Sequence, residues 1–164
     1  MLSLVVHTFP SVISIYLSLS ICSSVDKLIV LKMVEQLKGK WVLVSSENFD
    51  DYMKEVGVSW ATRQIGSRAK PNVIIDVNGN KVTIDTESVF KNTHLEFTLG
   101  EEFDETTPDG RQVKSIFVFE DGKLVCTQKG KVDSTISRYL EGEEMVTVCV
   151  ANSVTSTRKY KRSE

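Results

Sequence analysis

Few residues in this 164-residue chain have types and spacing suited to chemistry. Near the end, Val154-Thr155-Ser156-Thr157-Arg158-Lys159-Tyr160 reads as a strand, in which successive side chains point to opposite faces. Val154, Ser156, Arg158 and Tyr160 then share one side, while Thr155, Thr157, Lys159 and Lys161 share the other, solvated one. An arginine in phase with valine belongs to the inside, where an unpaired charge is costly. Two outcomes stay open. Either strand carbonyls hold Arg158 and Tyr160 caps the core, or the two anchor an acidic guest in an enclosed space. Arg138 alternates with Ile136 and Leu140 and poses a similar choice between an inward cation and one on the rim.

Other chemistries find little support. The three cysteines, Cys22, Cys126 and Cys149, form no CxxC pair, and the only histidines are His7 and His94. A zinc site or disulfide framework is not expected, and a reducing compartment is the simpler reading. Cys149 has no histidine near it in sequence and reads as a small apolar wall residue, not a nucleophile. The chain has no GxSxG, Walker loop or HExxH, and His94 has no acidic partner at a recognisable spacing, so no catalysis, metal or cofactor is expected. At a net charge of −2 it also lacks the basic excess of a general nucleic-acid binder.

The elements that must position these residues follow from periodicity. A first strand begins near Gly39 and runs through Trp41-Val42-Leu43-Val44. From Asn48 to Gly57 the period changes, with Phe49, Tyr52, Met53 and Val56 recurring at helical spacing. Asn48 suits the N-cap, Asp50 and Asp51 the positive end of the dipole, and Gly57 the stop. Ser59 can cap a second short helix with Trp60, Ala61, Ile65 and Ala69 on an apolar face. Helices this short must lie on something to be stable. From Pro71 onward the pattern is all strand, with turn signals about every ten residues. The expected fold is all-β, a ten-stranded antiparallel up-and-down β-clam or barrel with a helix-turn-helix lid between the first and second strands.

The first 32 residues differ in kind. Their apolar run from Leu2 to Ile21 resembles a secretory core, but no lysine or arginine precedes it, and Pro10 and several serines weaken a membrane span. The preferred division is an N-terminal extension over 1–32 and a barrel domain over 33–164, with Met33 as the functional start. A signal or anchor is the alternative.

Gly39-Lys40-Trp41, Ser45-Ser46-Glu47-Asn48-Phe49-Asp50-Asp51-Tyr52-Met53-Lys54, Ala61-Thr62-Arg63, Gly100-Glu101-Glu102-Phe103-Asp104-Glu105-Thr106-Thr107 and Thr157-Arg158-Lys159-Tyr160 resemble, in order, the intracellular fatty-acid-binding protein family. The resemblance runs from about Met33 to the C-terminus and looks nearest to the heart, adipocyte, brain and peripheral-myelin branch. Cellular retinoic-acid-binding proteins share much of it. One departure is Gln128-Lys129-Gly130-Lys131-Val132-Asp133, which lacks the branch's usual tryptophan and is one residue short, so a tighter turn is expected.

The resemblance implies non-covalent binding and intracellular transport of long-chain fatty acids, with retinoic acid as the rival ligand. It places the carboxylate on Arg138, Arg158 and Tyr160. Tyr52 and Met53 of the lid, and Phe90 at the portal, become expected ligand contacts. Phe49 is counted with them, although its stripe position also suits plain core. Alternation turns Thr147 and Cys149 inward with Met145. Asp109 and Arg111 are expected to add polar groups near the tail, with Asp109 equally suited to a turn. Lys54, Arg63, Arg68 and Lys70 put positive charge on and beside the lid, read first as a solvated face and alternatively as a surface for transient contact with anionic membranes. The expected state is a cytoplasmic monomer with possible nuclear entry, and secretion through the leader is the alternative.

Overall fold

The computed structural model describes residues 27–89 and 91–163. Ten strands follow one another: β1 (Gly39–Glu47), β2 (Asn72–Asn78), β3 (Lys81–Glu87), β4 (Thr93–Thr98), β5 (Glu102–Thr106), β6 (Gln112–Glu120), β7 (Lys123–Lys129), β8 (Ser134–Glu141), β9 (Glu144–Ala151) and β10 (Val154–Arg162). Residues 27–35 are helical (α1), and α2 (Phe49–Glu55) and α3 (Trp60–Gly66) lie between β1 and β2. The strands form one antiparallel sheet in the order β4-β3-β2-β1-β10-β9-β8-β7-β6-β5, a nearly closed barrel. The expected all-β fold with a helical lid is therefore the observed one.

The meander follows from turns that fit the twist of the strands they join. Asp121 and Gly122, the two residues between β6 and β7, both have positive φ (48° and 75°), as a primed two-residue turn requires. β1 pairs with β2 through its first residues and with β10 along most of its length. A register shift between Leu43 and Ser45 bends it between the two partners. β4 and β5 are the two ends of the sheet order, and aromatic rings span them. Phe97 of β4 stacks on Phe117 of β6 with centroids 3.6 Å apart and lies 6.2 Å from Phe103 of β5.

The main core gathers Trp41, Ile75, Val82, Phe97, Phe117, Leu124 and Met145 with Val34 and Leu37 from before the first strand. Those two are held by a clasp. Trp41 Nε1 donates to the Leu37 carbonyl at 2.8 Å, and Arg162 donates to the carbonyls of Lys38 and Gln36 while its guanidinium lies 4.2 Å from the Trp41 ring. The extension expected over 1–32 lies outside the described residues except for 27–32. There, Val30 packs partly buried against the core.

Both lid helices form, and two expectations about them need correction. Asn48 occupies the position before α2, but its backbone is left-handed (φ 54°) and its side chain makes no capping bond. It reaches instead across to the Thr155 carbonyl at 3.5 Å. Ser59 does cap α3, accepting from the Thr62 amide at 3.3 Å. The apolar face expected on α3 is not buried, however. No α3 residue is buried, Trp60 is 69% exposed, and Ile65 is also exposed. α3 is held by α2 instead. Arg63 pairs with Asp50 at 2.5 Å, and a Cβ on Gly66 would press on Met53 Sδ at 3.0 Å. Gly66 thus permits close approach between the helices.

Candidate functional site

The inner face of β10 carries Ser156, Arg158 and Tyr160, all buried, with Val154 partly so. Burial thus alternates as the sequence predicts. In β9 the same phase holds Met145, Thr147 and Cys149, all buried. Cross-strand register sets the arrangement of the two arginines. Thr147 is the partner of Arg158 on one side and of Arg138 on the other, so the three form a row across β10, β9 and β8. At about 4.8 Å between strands, the two arginine Cα atoms stand roughly 10 Å apart with one strand between them.

The electrostatic effects of both guanidiniums meet at two neighbours. Burial pushes the Tyr160 phenol up from its usual range, against the pull of Arg158 and then Arg138. Burial likewise raises the Cys149 thiol, and the same two arginines oppose it. A neutral phenol therefore stands beside two cations, ready to donate a hydrogen bond, while Cys149 is held as an unreactive thiol. Arg158 is only 9% exposed, and its Nε is buried without a hydrogen-bond partner, as is Nη1 of the half-buried Arg138. The Arg158 guanidinium carbon lies 4.1 Å from the Phe49 ring centroid and 5.8 Å from that of Tyr160.

α2 completes the enclosure. Tyr52, Met53 and Val56 are buried in one cluster with Cys149 and Ala151, and Phe49 packs partly buried against it. The Tyr52 phenol is pushed up to about 12, first by burial and then by Cys149, with Ser134 and Arg111 pulling the other way. Its Oη is buried without a hydrogen-bond partner. Asp109 and Arg111 pair with each other, Nε to Oδ2 at 2.7 Å, in the β5–β6 connection. Phe90 lies outside the described residues.

Two sequence readings are corrected here. Arg63 is not a free basic group of the lid surface, because its guanidinium is mostly buried against Asp50. His94 does have an acidic partner. Asp85 lies opposite it on β3, with Nδ1 2.5 Å from the carboxylate, in an exposed pair outside the barrel interior. The shortened segment after Gln128 forms the connection between β7 and β8, closed by the Gly130 amide donating to Asp133 Oδ1 at 3.2 Å. A Cβ on Gly130 would meet Val113 at 2.9 Å, so a bulky side chain there would have to displace Val113.

The profile of the lipocalin / cytosolic fatty-acid binding protein family matches residues 38–163. This chain belongs to that family. It is 54% identical over 132 residues to fatty acid-binding protein homolog 5 of Caenorhabditis elegans, covering 78% of this chain and 97% of that one. Its identity to human fatty acid-binding protein 9 is 51%, over 79% and 99% of the two chains. Among solved structures, a Schistosoma mansoni fatty acid binding protein in complex with arachidonic acid superposes with a TM-score of 0.75. That chain is 46% identical, with 77% of this chain and 96% of that one covered. The ten strands and the two helices between β1 and β2 all lie within the matched residues.

Sequence reasoning missed one polar group on the inner wall. Glu105 of β5 is buried, with Ser115 of β6 and Gln128 of β7 donating to its Oε2. The available signal was its phase with Phe103, a carboxylate two residues from an inward aromatic.

Proposed function

We propose that this protein binds long-chain fatty acids non-covalently and carries them within the cell, the carboxylate lying between Arg138 and Arg158 beside the Tyr160 hydroxyl. The observation that carries this reading is the row Arg138–Thr147–Arg158, where two guanidiniums with unpartnered buried nitrogens flank one inward threonine. A guanidinium presents a rigid fork of donors that matches both oxygens of a carboxylate, and such charge-assisted bonds contribute about 1.5–3 kcal/mol each. Burial of the tail contributes more in sum, about 0.8 kcal/mol per CH2. The polar end therefore sets orientation and the hydrocarbon sets affinity. The Schistosoma mansoni relative, solved with arachidonic acid, supports a long-chain carboxylate as the ligand.

On this reading Phe49, Tyr52 and Met53 form the lid's inner surface, Thr147 and Cys149 line the wall, and the Asp109–Arg111 pair lies toward the tail. The fatty acid-binding relatives support a carrier rather than an enzyme. The outer face of the lid, with exposed Trp60 and Ile65 beside exposed Lys54, Arg68 and Lys70, suits transient contact with an anionic membrane. Native mass spectrometry of the purified protein, followed by competition between a long-chain fatty acid and retinoic acid, tests the assignment. Co-purified fatty acid and preferential retention of it are expected. Preferential retention of retinoic acid would replace the fatty acid as ligand, and retention of neither would reject the carrier.

A further inference from the structure

The anchor row leaves the buried carboxylate of Glu105 unexplained. Glu105 is 9% exposed on β5, in phase with Phe103, whose ring packs against the core. Ser115 Oγ of β6 donates to its Oε2 at 2.5 Å, and Gln128 Nε2 of β7 donates to the same oxygen at 3.0 Å. Ser134 Oγ of β8 in turn donates to Gln128 Oε1 at 3.2 Å. Four adjacent strands each give one buried polar side chain to a line along the inner wall, and its donors run toward the carboxylate. Ser115 and Gln128 both end on Oε2. Among the described residues Oε1 takes no hydrogen bond, and it is not one of the fully buried unpartnered atoms, so it stays accessible.

Such a line is not needed to hold the strands together. Apolar residues of similar volume would join β5 to β8 without the cost of burying most of a carboxylate. Among the described residues no cation forms an ion pair with Glu105. Arg138 remains separate from it, although both groups act on Cys126, Arg138 favouring its thiolate and Glu105 opposing it. Ser134 and Arg138 lie four residues apart on the same strand, so about 13 Å of strand separates the polar line from the anchor row. A carboxylate accepts and cannot donate. Its complement is a neutral donor, whereas a methylene leaves Oε1 unpaired and a second carboxylate is repelled.

We propose that Glu105, positioned by Ser115, Gln128 and Ser134, is a second polar subsite that accepts a hydroxyl borne part-way along the ligand's hydrocarbon chain. Monohydroxylated long-chain fatty acids are then preferred over their unsubstituted parents. This inference rests on the carboxylate anchor proposed above, because the separation of the two loci selects which carbon bears the hydroxyl.

Competition between palmitate and its positional monohydroxy isomers on the full chain, read by native mass spectrometry, tests the subsite. A narrow group of isomers should bind about ten-fold tighter than palmitate. In Glu105→Gln, where a neutral amide oxygen replaces the charged acceptor, that ratio should fall to about three-fold. The wild-type series needs no variant and stands even if Glu105→Gln folds poorly. If palmitate binds but no isomer gains, the subsite is rejected and the anchor survives. A full ten-fold ratio retained in Glu105→Gln rejects Glu105 as the acceptor. Failure of palmitate itself to bind removes the carrier reading, and this inference with it.

Discussion

The guanidinium carbon of Arg158 lies 4.1 Å from the centroid of the Phe49 ring, so the first residue of α2 rests on the interior cation of the last strand. Lid and anchor are one contact. A cation–π pair of this kind contributes about 0.5–2 kcal/mol, more as water is removed from it. Phe49→Ala should therefore speed ligand release about five-fold or more without changing the preference for carboxylates. Stopped-flow release of a bound fluorescent fatty acid checks this, and an unchanged rate would show that the stacking has no role in retention.

Replacing the cation itself should act on a different quantity. Arg158→Gln removes the charge from a site 9% exposed and should weaken carboxylate ligands by about 10- to 100-fold, the equivalent of about 1.5–3 kcal/mol. Alcohols and methyl esters of the same chain length should lose far less. Calorimetric titration of matched acid and ester pairs separates the two, and an equal loss for both counts against the carboxylate anchor.

The lid surface offers a third test. Lys54 and Arg68 are exposed, whereas Arg63 is engaged with Asp50. Lys54→Glu with Arg68→Glu should slow transfer of ligand to anionic vesicles several-fold, since each surface cation adds about 1 kcal/mol of attraction. Transfer to neutral vesicles should be almost unaffected. Equal rates for wild type and variant on anionic vesicles would remove the membrane contact from the mechanism.

Alkaline pH should destabilise the protein through groups kept neutral inside it. The Tyr52 phenol is raised from 10.0 to about 12, chiefly by burial. Below pH 10 folded and unfolded states both hold the proton and the folded state keeps its full advantage. Between pH 10 and 12 the unfolded chain ionises first, so stability falls by on the order of 2–3 kcal/mol. The Cys126 thiol, raised from 9.0 to about 12 mainly by burial, adds a loss of the same sign that begins near pH 9. Urea midpoints measured across this range should decline, and Tyr52→Phe should flatten the decline above pH 10. A variant as steep as wild type would exclude the phenol as a source.

Strand phase made the interior legible. Arg158, Tyr160 and Thr147 lie where a period of two puts them, because each strand of a barrel has one wet and one dry face. Helix surfaces were harder to read. The stripe Phe49, Tyr52, Met53 and Val56 packs as its spacing suggests, yet Trp60 and Ile65 on α3 look just as apolar and remain in solvent. Spacing identifies a face but not what lies opposite it. The Asp50–Arg63 pair is invisible to spacing because it joins two helices through a bend, while the position of Asp50 alone points only to the helix dipole. The role of Glu105 is not legible in sequence because its partners Ser115 and Gln128 come from two other strands, and register alone brings them together with Ser134.

Arg162 ties the last strand to the carbonyls of Gln36 and Lys38, and the Ser163 amide adds a bond to Lys40. The segment ahead of β1 is thus held in place by residues that a routine truncation would discard. Tails are often dispensable, but here removing the last residues would loosen the segment that carries Val34 and Leu37 into the core ahead of β1. Tags and fluorophores are better grafted at the hairpin tip of Asp121 and Gly122 than at the C-terminal end.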